Sequence, residues 1–175
     1  MAEIEIRPVD PERDAEAMWR IAREPGVMEN IMQLPSLRLS GTRRWLEGIG
    51  DDFHGFVAVR HGELVGSADL QVGPGRRRHS ALLGITVATP HQGKGVGGAL
   101  MTAILDLADN WLGLRRVELA VFPDNRAALA LYERHGFELE GRARQAVSRQ
   151  GALHDFLMLA RLRPALTAAP DDAPA

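Results

Sequence analysis

A glycine-rich turn joins an apolar strand to a regular helix, and it constrains the fold more than any other feature of the chain. Residues 80–88 are apolar enough to predict a strand that is covered on both faces. Apolar residues then recur at helical spacing from Val96 to Trp111. Four glycines stand at the junction: Gly93, Gly95, Gly97 and Gly98. This order predicts a sheet in which one strand leads through a tight turn into a packed helix.

The same turn is suited to bind a phosphate group. Glycines let backbone N–H groups approach an anion closely, and the N-terminus of the helix adds a partial positive charge. Lys94, the only lysine of the chain, lies inside the turn. A purely structural turn would need fewer glycines, so we predict a pyrophosphate site. Its residues are Gln92, Gly93, Lys94, Gly95, Val96, Gly97 and Gly98.

A dinucleotide cofactor is the alternative ligand for this turn. The pattern Gly93-x-Gly95-x-x-Gly98 satisfies the dinucleotide-binding fingerprint, and Glu118 follows 20 residues later. However, five residues, including Pro90, separate the end of the strand from Gly93. In a dinucleotide-binding fold the glycine-rich turn follows its strand directly. Too little chain remains for further βαβ units, so this interpretation is the weaker one. A Walker phosphate loop is excluded, because no Gly-Lys-Ser/Thr stands at the required spacing.

The rest of the pattern predicts one mixed α/β domain over residues 1–163. Alternation and apolar runs predict strands at 3–7, 53–60, 63–72, 117–121, 137–147 and 153–162, with hairpin turns at His61-Gly62 and Gln150-Gly151. Helical spacing predicts helices at 10–24, from an N-cap at Ser40 through Ile49, and at 125–135 before a Gly136 cap. Residues 27–39 show no clean period, and we expect a loop or a broken helix there. Residues 164–175 are rich in Ala, Pro and Asp and are expected to form a disordered tail.

Composition excludes several classes of site and partner. The 175 residues include no cysteine, which excludes disulfides, thiolate metal sites and a cysteine nucleophile, and we expect no metal. A net charge of −2 gives no indication of nucleic acid or a membrane surface as partner. No apolar run approaches the ~20 residues that cross a bilayer. The first six residues are also unlike a signal peptide, so we expect a cytoplasmic protein.

Two ordered motifs resemble those of the GNAT acetyltransferase superfamily. The first is Gln92-x-x-Gly95-x-Gly97 after the strand Ile85-Thr86-Val87, which resembles the superfamily's pyrophosphate motif. The second runs through Val117–Val121, Asn125-x-x-Ala128 and Leu131-Tyr132-Glu133-x-x-Gly136-Phe137. From Ile4 to Arg161 the chain is similar to the bacterial L-amino-acid N-acetyltransferase branch. The resemblance implies a GNAT fold (α+β), with a mixed, mostly antiparallel sheet of about six to seven strands flanked by about four helices.

The same resemblance implies direct transfer of an acetyl group from acetyl-CoA to a primary amine, by a homodimer. Pantetheine would lie between the strands at 80–88 and 117–121 and take backbone hydrogen bonds from the first. The implied cofactor-binding residues are Ile85, Thr86, Val87, the loop Gln92 to Gly98, Asn125, Ala128 and Tyr132. Tyr132 would also protonate the departing thiolate as the catalytic acid. Asn125 is equally well explained as a helix cap, and both roles are compatible.

The sequence offers several candidates for the general base and for the acceptor site. Ala81 stands where histone-type relatives carry a glutamate, which leaves His79, Asp69, Glu29, His154 or a water chain. Met28, Ile31, Met32 and Leu34 are expected to form either an apolar acceptor wall or part of the core. Asn30 and Gln33 would orient an acceptor carboxylate or amide. With that wall the favoured acceptor is the α-amine of an apolar amino acid or an analogue, and acetylation of a protein N-terminus or a non-catalytic acyl-CoA-binding module are the alternatives.

Overall fold

The computed structural model describes residues 3–163, in which seven strands form one sheet and five α-helices pack on it. The strands are β1 (Glu5–Pro8), β2 (Phe53–Arg60), β3 (Glu63–Val72), β4 (Ser80–Val87), β5 (Arg116–Val121), β6 (Glu138–Arg149) and β7 (Ala152–Leu162). The helices are α1 (Pro11–Ala22), α2 (Pro25–Met28), α3 (Leu39–Glu47), α4 (Val96–Asp106) and α5 (Arg126–Arg134). The mixed α/β class and the number of strands are confirmed. The fifth helix, beyond the four expected, is the single turn α2.

The sheet order is β1-β2-β3-β4-β5-β7-β6, and β4 and β5 form its one parallel pair in the described range. This pair is short, because only Ser80–Leu82 of β4 lie in register with Arg116–Glu118 of β5. Beyond Leu82, β4 pairs with β3 alone, while β5 pairs with β7 up to Val121. The two halves of the sheet therefore separate, and residues 83–87 of β4 form an open edge.

Each face of the first half of the sheet is covered by different helices. Ala68 faces the side where α4 buries its apolar residues, of which Leu100 and Ile104 are fully buried. We call this the α4 face. Paired residues of neighbouring strands share a face and successive residues alternate. Arg7, which pairs with Val57, therefore points to the opposite face, where it binds Asp14 of α1. We call that side the α1 face.

Both hairpin turns form as predicted. His61 and Gly62 have φ of +54° and +81°, and Gln150 and Gly151 have +53° and +81°. Positive φ at both central residues is the geometry that joins two-residue hairpins. Gly136 ends α5 with φ +81°, as its position after the helix predicted.

Two sequence predictions need correction. Ser40 does not cap α3, because the helix begins at Leu39 with Arg38 in the cap position. The strand at 80–88 is not covered on both faces, since Leu82 is 52% exposed beside the short parallel pair. The loop or broken helix expected at residues 27–39 is present, because α2 stops at Met28 and an irregular segment leads to the start of α3 at Leu39.

Two further expectations concern the C-terminal tail and membrane-spanning segments. The tail predicted for residues 164–175 lies outside the described residues. Among residues 3–163, no helix combines the length and the apolar character needed to cross a membrane.

Candidate active site

The glycine-rich turn has the backbone geometry of an anion cradle. Gly93 and Gly95 have φ of +70° and +87°, which a side chain would disfavour. Gly95 is the N-cap of α4, and none of the described side chains caps this helix end. The first N–H groups of α4 therefore lack the partner that a capping residue would supply. A Cβ atom at Gly93 or Gly98 would meet no atom within 4 Å, so the turn is open to a ligand.

The four glycines divide into different structural roles. At Gly97 a Cβ atom would lie 3.1 Å from Cδ2 of Leu131, so this glycine lets α5 approach α4 closely. Lys94 is exposed and makes no ion pair with any residue in the described range. Its ammonium group is free to pair with a bound anion.

The open edge of β4 presents backbone groups from alternate residues. The N–H of Gly73 donates to the carbonyl oxygen of Ser80, and that of Ala88 donates to Val65, so the even-numbered residues of β4 bond to β3. Ile85 and Val87 therefore direct their backbone groups away from β3, into the opening. The Val87 carbonyl oxygen already accepts a hydrogen bond from Nε2 of Gln92 at 3.0 Å. The backbone of Thr86 faces β3 instead.

Tyr132 lies on α5, in the core cluster of the α4 face that Ile85 and Val87 also contact. It is 7% exposed, and its ring lies 5.8 Å from the ring of Phe137. Burial raises the pKa of Tyr132 to about 12, so the phenol holds its proton at neutral pH. Among the described residues the hydroxyl has no hydrogen-bond partner, so its O–H is free to donate to a bound molecule.

The segment before Tyr132 fixes the start of α5. Oδ1 of Asn125 accepts a hydrogen bond from the Ala128 N–H at 3.1 Å, which caps the helix. The capping role of Asn125 is therefore present, and its side-chain amide remains available as a donor. Asn125 and Ala128 thus stand at the N-terminus of α5, close in sequence to Tyr132.

In the irregular segment expected to bind the acceptor, some side chains pack against the rest of the protein and others are exposed. Nδ2 of Asn30 donates to the Gly26 carbonyl oxygen at 3.1 Å. Met32 is 66% exposed, whereas Ile31 packs on a small cluster with Ile21 and Val27. Gln33 is exposed and lines a cavity of about 420 Å³ between this segment and α3. A second cavity, of about 450 Å³, lies between α1 and the ends of β2 and β3 and includes neither Tyr132 nor the glycine-rich turn.

Sequence reasoning missed Arg149, which ties the last hairpin to this region. Its guanidinium binds the carboxylate of Asp124 and lies 4.2 Å from the centre of the Phe122 ring. It also donates to the carbonyl oxygen of Glu29 at 3.4 Å. Hydrogen bonding to Arg149 holds the pKa of Asp124 below its usual range. No spacing in the sequence indicates this contact, because residues 29, 124 and 149 are brought together by the fold.

The four candidate bases have different surroundings. His79 is exposed at the start of β4, and Glu29 is exposed and accepts a hydrogen bond from Gln150. His154 lies beside the Arg149 cation at 3.4 Å. Asp69 is partly buried in β3, and desolvation of its carboxylate raises its pKa to about 6. Within residues 3–163 there is no cluster of three or more potential metal ligands.

Comparison with known proteins identifies the family. The model of the acetyltransferase (GNAT) family matches residues 16–137, which include the glycine-rich turn and Tyr132. The chain belongs to the GNAT acetyltransferase family. It is an acetyl-CoA-dependent N-acetyltransferase, and this removes the dinucleotide-binding alternative.

Individual relatives agree with this assignment. This acetyltransferase is 36% identical to the L-amino acid N-acetyltransferase AaaT of Escherichia coli, over 93% of this chain and 100% of that protein. A ribosomal-protein-alanine N-acetyltransferase from Brucella melitensis superposes with a TM-score of 0.81 at 27% identity, covering 91% and 99% of the two chains. A spermidine N-acetyltransferase from Vibrio cholerae, in complex with CoA and spermine, has a TM-score of 0.81 at 23% identity, covering 91% and 95%. The last of these shows likeness of fold alone.

Proposed function

We propose that this enzyme acetylates the α-amine of a free amino acid or a close analogue, by direct transfer from acetyl-CoA. The observation that carries the proposal is the 36% identity to an L-amino acid N-acetyltransferase over the whole of that relative. The absence of cysteine from the chain agrees with direct attack by the amine rather than an acyl-enzyme on a thiol.

The geometry supports a distinct role for each part of the cofactor site. The free N–H groups at the start of α4, with Lys94, would bind the pyrophosphate. Backbone groups of Ile85 and Val87 would hydrogen-bond the pantetheine arm as an added strand does. The arm supplies the thioester, and an N–H on the open edge of β4 can stabilise the negative charge that develops on its oxygen. Tyr132 would donate its proton to the sulfur atom that leaves.

Residues of the irregular segment would select the acceptor. Asn30, Met32 and Gln33 remain our candidates for contact with its carboxylate and side chain. Arg149 links this segment to the loop before α5, so acceptor and cofactor sites share one structural connection. The enzyme is further expected to form a homodimer and to be cytoplasmic, and both stay predictions.

Acetylation of a protein N-terminus is the second candidate function. The likeness to a ribosomal-protein-alanine N-acetyltransferase at 27% identity favours it. The two functions differ in the acceptor they require, because a peptide extends beyond the α-amine whereas a free amino acid ends in a carboxylate. A non-catalytic acyl-CoA-binding module is disfavoured by the family membership and by the buried Tyr132.

Release of CoA thiol across a panel of acceptors tests the proposal. The panel contains free apolar amino acids, the same amino acids as amides, short peptides with matched N-terminal residues, and polyamines. We expect the highest kcat/KM with free amino acids and a loss on amidation of the carboxyl group. A preference for peptides would assign the second function, and acetyl-CoA binding without turnover on any amine would overturn both.

A further inference from the structure

Asp69 occupies a gap in the side chains on the α1 face of the sheet. It lies in β3 directly opposite Gly55 of β2 and Gly84 of β4. A Cβ atom on Gly84 would lie only 2.9 Å from Oδ1 and 3.1 Å from Oδ2 of Asp69, so the carboxylate rests against the Gly84 backbone. Glycine on both sides leaves this carboxylate without a neighbouring side chain in its own row.

The Asp69 carboxylate also has no polar partner. Among the described residues it accepts no hydrogen bond and makes no ion pair, whereas Asp14, Asp109 and Asp155 each bind an arginine. Asp69 is partly buried, and a partly desolvated carboxylate without a charged partner is a candidate for a functional site. Burial is the cause that raises its pKa to about 6, with no contribution from a charged side chain.

In β2, β3 and β4, no charged side chain shares the row of Asp69 or the adjacent rows on the α1 face. Its neighbours on that face are uncharged: Val57 and Phe53 in β2, Ser67 and Gln71 in β3, and Thr86 and Leu82 in β4. Arg7 and Asp14 pair with each other, and Glu118 pairs with Arg77 and Arg116. The charged residues of α3 are exposed: Arg43, Arg44 and Glu47.

The position of Gly84 connects this carboxylate to the reaction. Gly84 immediately precedes Ile85, whose backbone groups face the opening between β4 and β5. One residue along a strand is about 3.3 Å. Tyr132 approaches this edge from the α4 face, whereas Asp69 lies on the α1 face. A proton donor and a proton acceptor therefore lie on opposite faces of the sheet, next to the strand that borders the opening.

We propose that Asp69 is the general base that takes the proton from the acceptor ammonium group. This inference rests on the proposed function. The ammonium N–H bond breaks and its proton passes to an Asp69 oxygen, which leaves the lone pair on nitrogen free. Nitrogen then bonds to the acetyl carbon as the carbon–sulfur bond breaks, and the thiolate takes the Tyr132 proton. Nitrogen loses its second proton to water, Tyr132 regains one from water, and Asp69 releases the first, so one proton reaches solvent per amide formed.

The test compares Asp69→Asn with wild type on two kinds of acceptor. Asparagine keeps the size of the side chain but cannot take a proton. With an amino acid that is protonated at the assay pH, we expect kcat to fall by ~10²–10⁴-fold. With an acceptor amine that is already uncharged at that pH, we expect kcat within about threefold of wild type, since no proton needs to be removed first. Ser67→Ala, on the same face of the same strand, is the control and should change neither rate.

Two further measurements separate a base from a structural residue. The kcat of wild type should decline as the pH falls through about 6, and this inflection should be absent in Asp69→Asn. Asp69→Glu, which restores a carboxylate beside the two glycines, should recover part of the rate. An equal loss on both kinds of acceptor, or full activity of Asp69→Asn on protonated amines, would overturn the proposal. If wild type proves to prefer peptides, the proposed acceptor is wrong, and the same comparison is made on a peptide N-terminus.

Discussion

At the scale of single residues, Tyr132 and Asp69 are two polar side chains that have no hydrogen-bond partner among the described residues. Each has a pKa raised by burial, to about 12 and about 6 respectively. Both shifts favour the protonated form, but the two pKa values lie on either side of neutral pH, so the phenol keeps its proton and the carboxylate has lost its own. A donor and an acceptor are thereby available at the same pH, as transfer between an amine and a thioester requires.

The role of Tyr132 as an acid predicts a large effect from the loss of one oxygen atom. In Tyr132→Phe the ring still packs on Phe137, so acetyl-CoA should bind with nearly unchanged affinity. We expect kcat to fall by ~10²–10⁴-fold, because the thiolate must leave without a proton. Thiol release and a CoA-binding titration measure the two quantities separately. A variant with wild-type kcat would show that Tyr132 has only a packing role.

The raised pKa of Asp69 predicts an unusual dependence of stability on pH. Between its unfolded value of 3.8 and its folded value of about 6, the folded state holds a proton that the unfolded chain has released. The free energy of unfolding therefore falls as the pH rises through this window, by about 3 kcal/mol. Asp69→Asn should raise the melting temperature at neutral pH and flatten its change between about pH 4 and 6. A lower melting temperature of Asp69→Asn would contradict this prediction, because it would mean that the ionised carboxylate stabilises the folded state.

At the scale of elements, the start of α4 depends on a backbone conformation that favours glycine. Gly95 has φ +87° at the N-cap, and Gly93 has φ +70°. The exposed N–H groups that result are a cost to the isolated helix, which a bound anion would offset. The turn is thus arranged for a ligand rather than for the stability of the helix.

Gly95→Ala is expected to weaken this turn in two ways. An L-residue at this φ costs about 1–2 kcal/mol, and a shifted turn would misplace the N–H groups. We expect KM for acetyl-CoA to rise more than kcat falls, together with a lower melting temperature. Gly98→Ala is the stability control, because its Cβ atom would meet nothing within 4 Å and alanine favours a helix. Equal melting temperatures of the two variants would contradict the assigned strain.

The contact between β1 and α1 predicts a large loss of stability in Asp14→Ala. Asp14 is 2% exposed and binds Arg7 through both oxygens, at 2.6 and 2.7 Å. Burial opposes its ionisation, but hydrogen bonds from Arg7 and from the Asp10 N–H hold its pKa below the usual range. Removal of Asp14 leaves the partly buried Arg7 guanidinium uncompensated, which costs about 3 kcal/mol. Glu16→Ala breaks the exposed pair with Arg20 and should leave the midpoint of the same denaturant titration nearly unchanged.

At the scale of the whole molecule, the separation of β4 from β5 decides where chemistry can occur. Three residue pairs hold the two halves together, and the strands then diverge. Arg149 adds a long-range connection, since it joins the last hairpin to Asp124 and to the end of α2. The sheet hydrogen bonds between the two halves are therefore few, and a shared apolar core beneath the opening joins them.

Assembly is also a property of the whole molecule. Large apolar side chains remain exposed at the described surface, among them Trp111, Leu139 and Leu162. Apolar surface of this kind is commonly covered by a partner. We expect light scattering to give twice the chain mass of 19.2 kDa. A mass equal to one chain would refute the homodimer.

The elements and the family follow from local patterns in the sequence. The apolar pattern of the sequence predicted the first and last residues of β2 and β3, and the glycines predicted the turn before α4. Both features depend on residues that are close together in the chain. The N-cap of α3 was predicted wrongly. Packing against the rest of the protein, rather than the capping preference of Ser40, decides where this helix begins. The sequence named Asp69 as one of four candidate bases but could not choose among them, and it missed Arg149, because the glycines opposite Asp69 and the partners of Arg149 come from distant segments. Burial, pairing and pKa depend on those long-range contacts, and only the tertiary structure determines them.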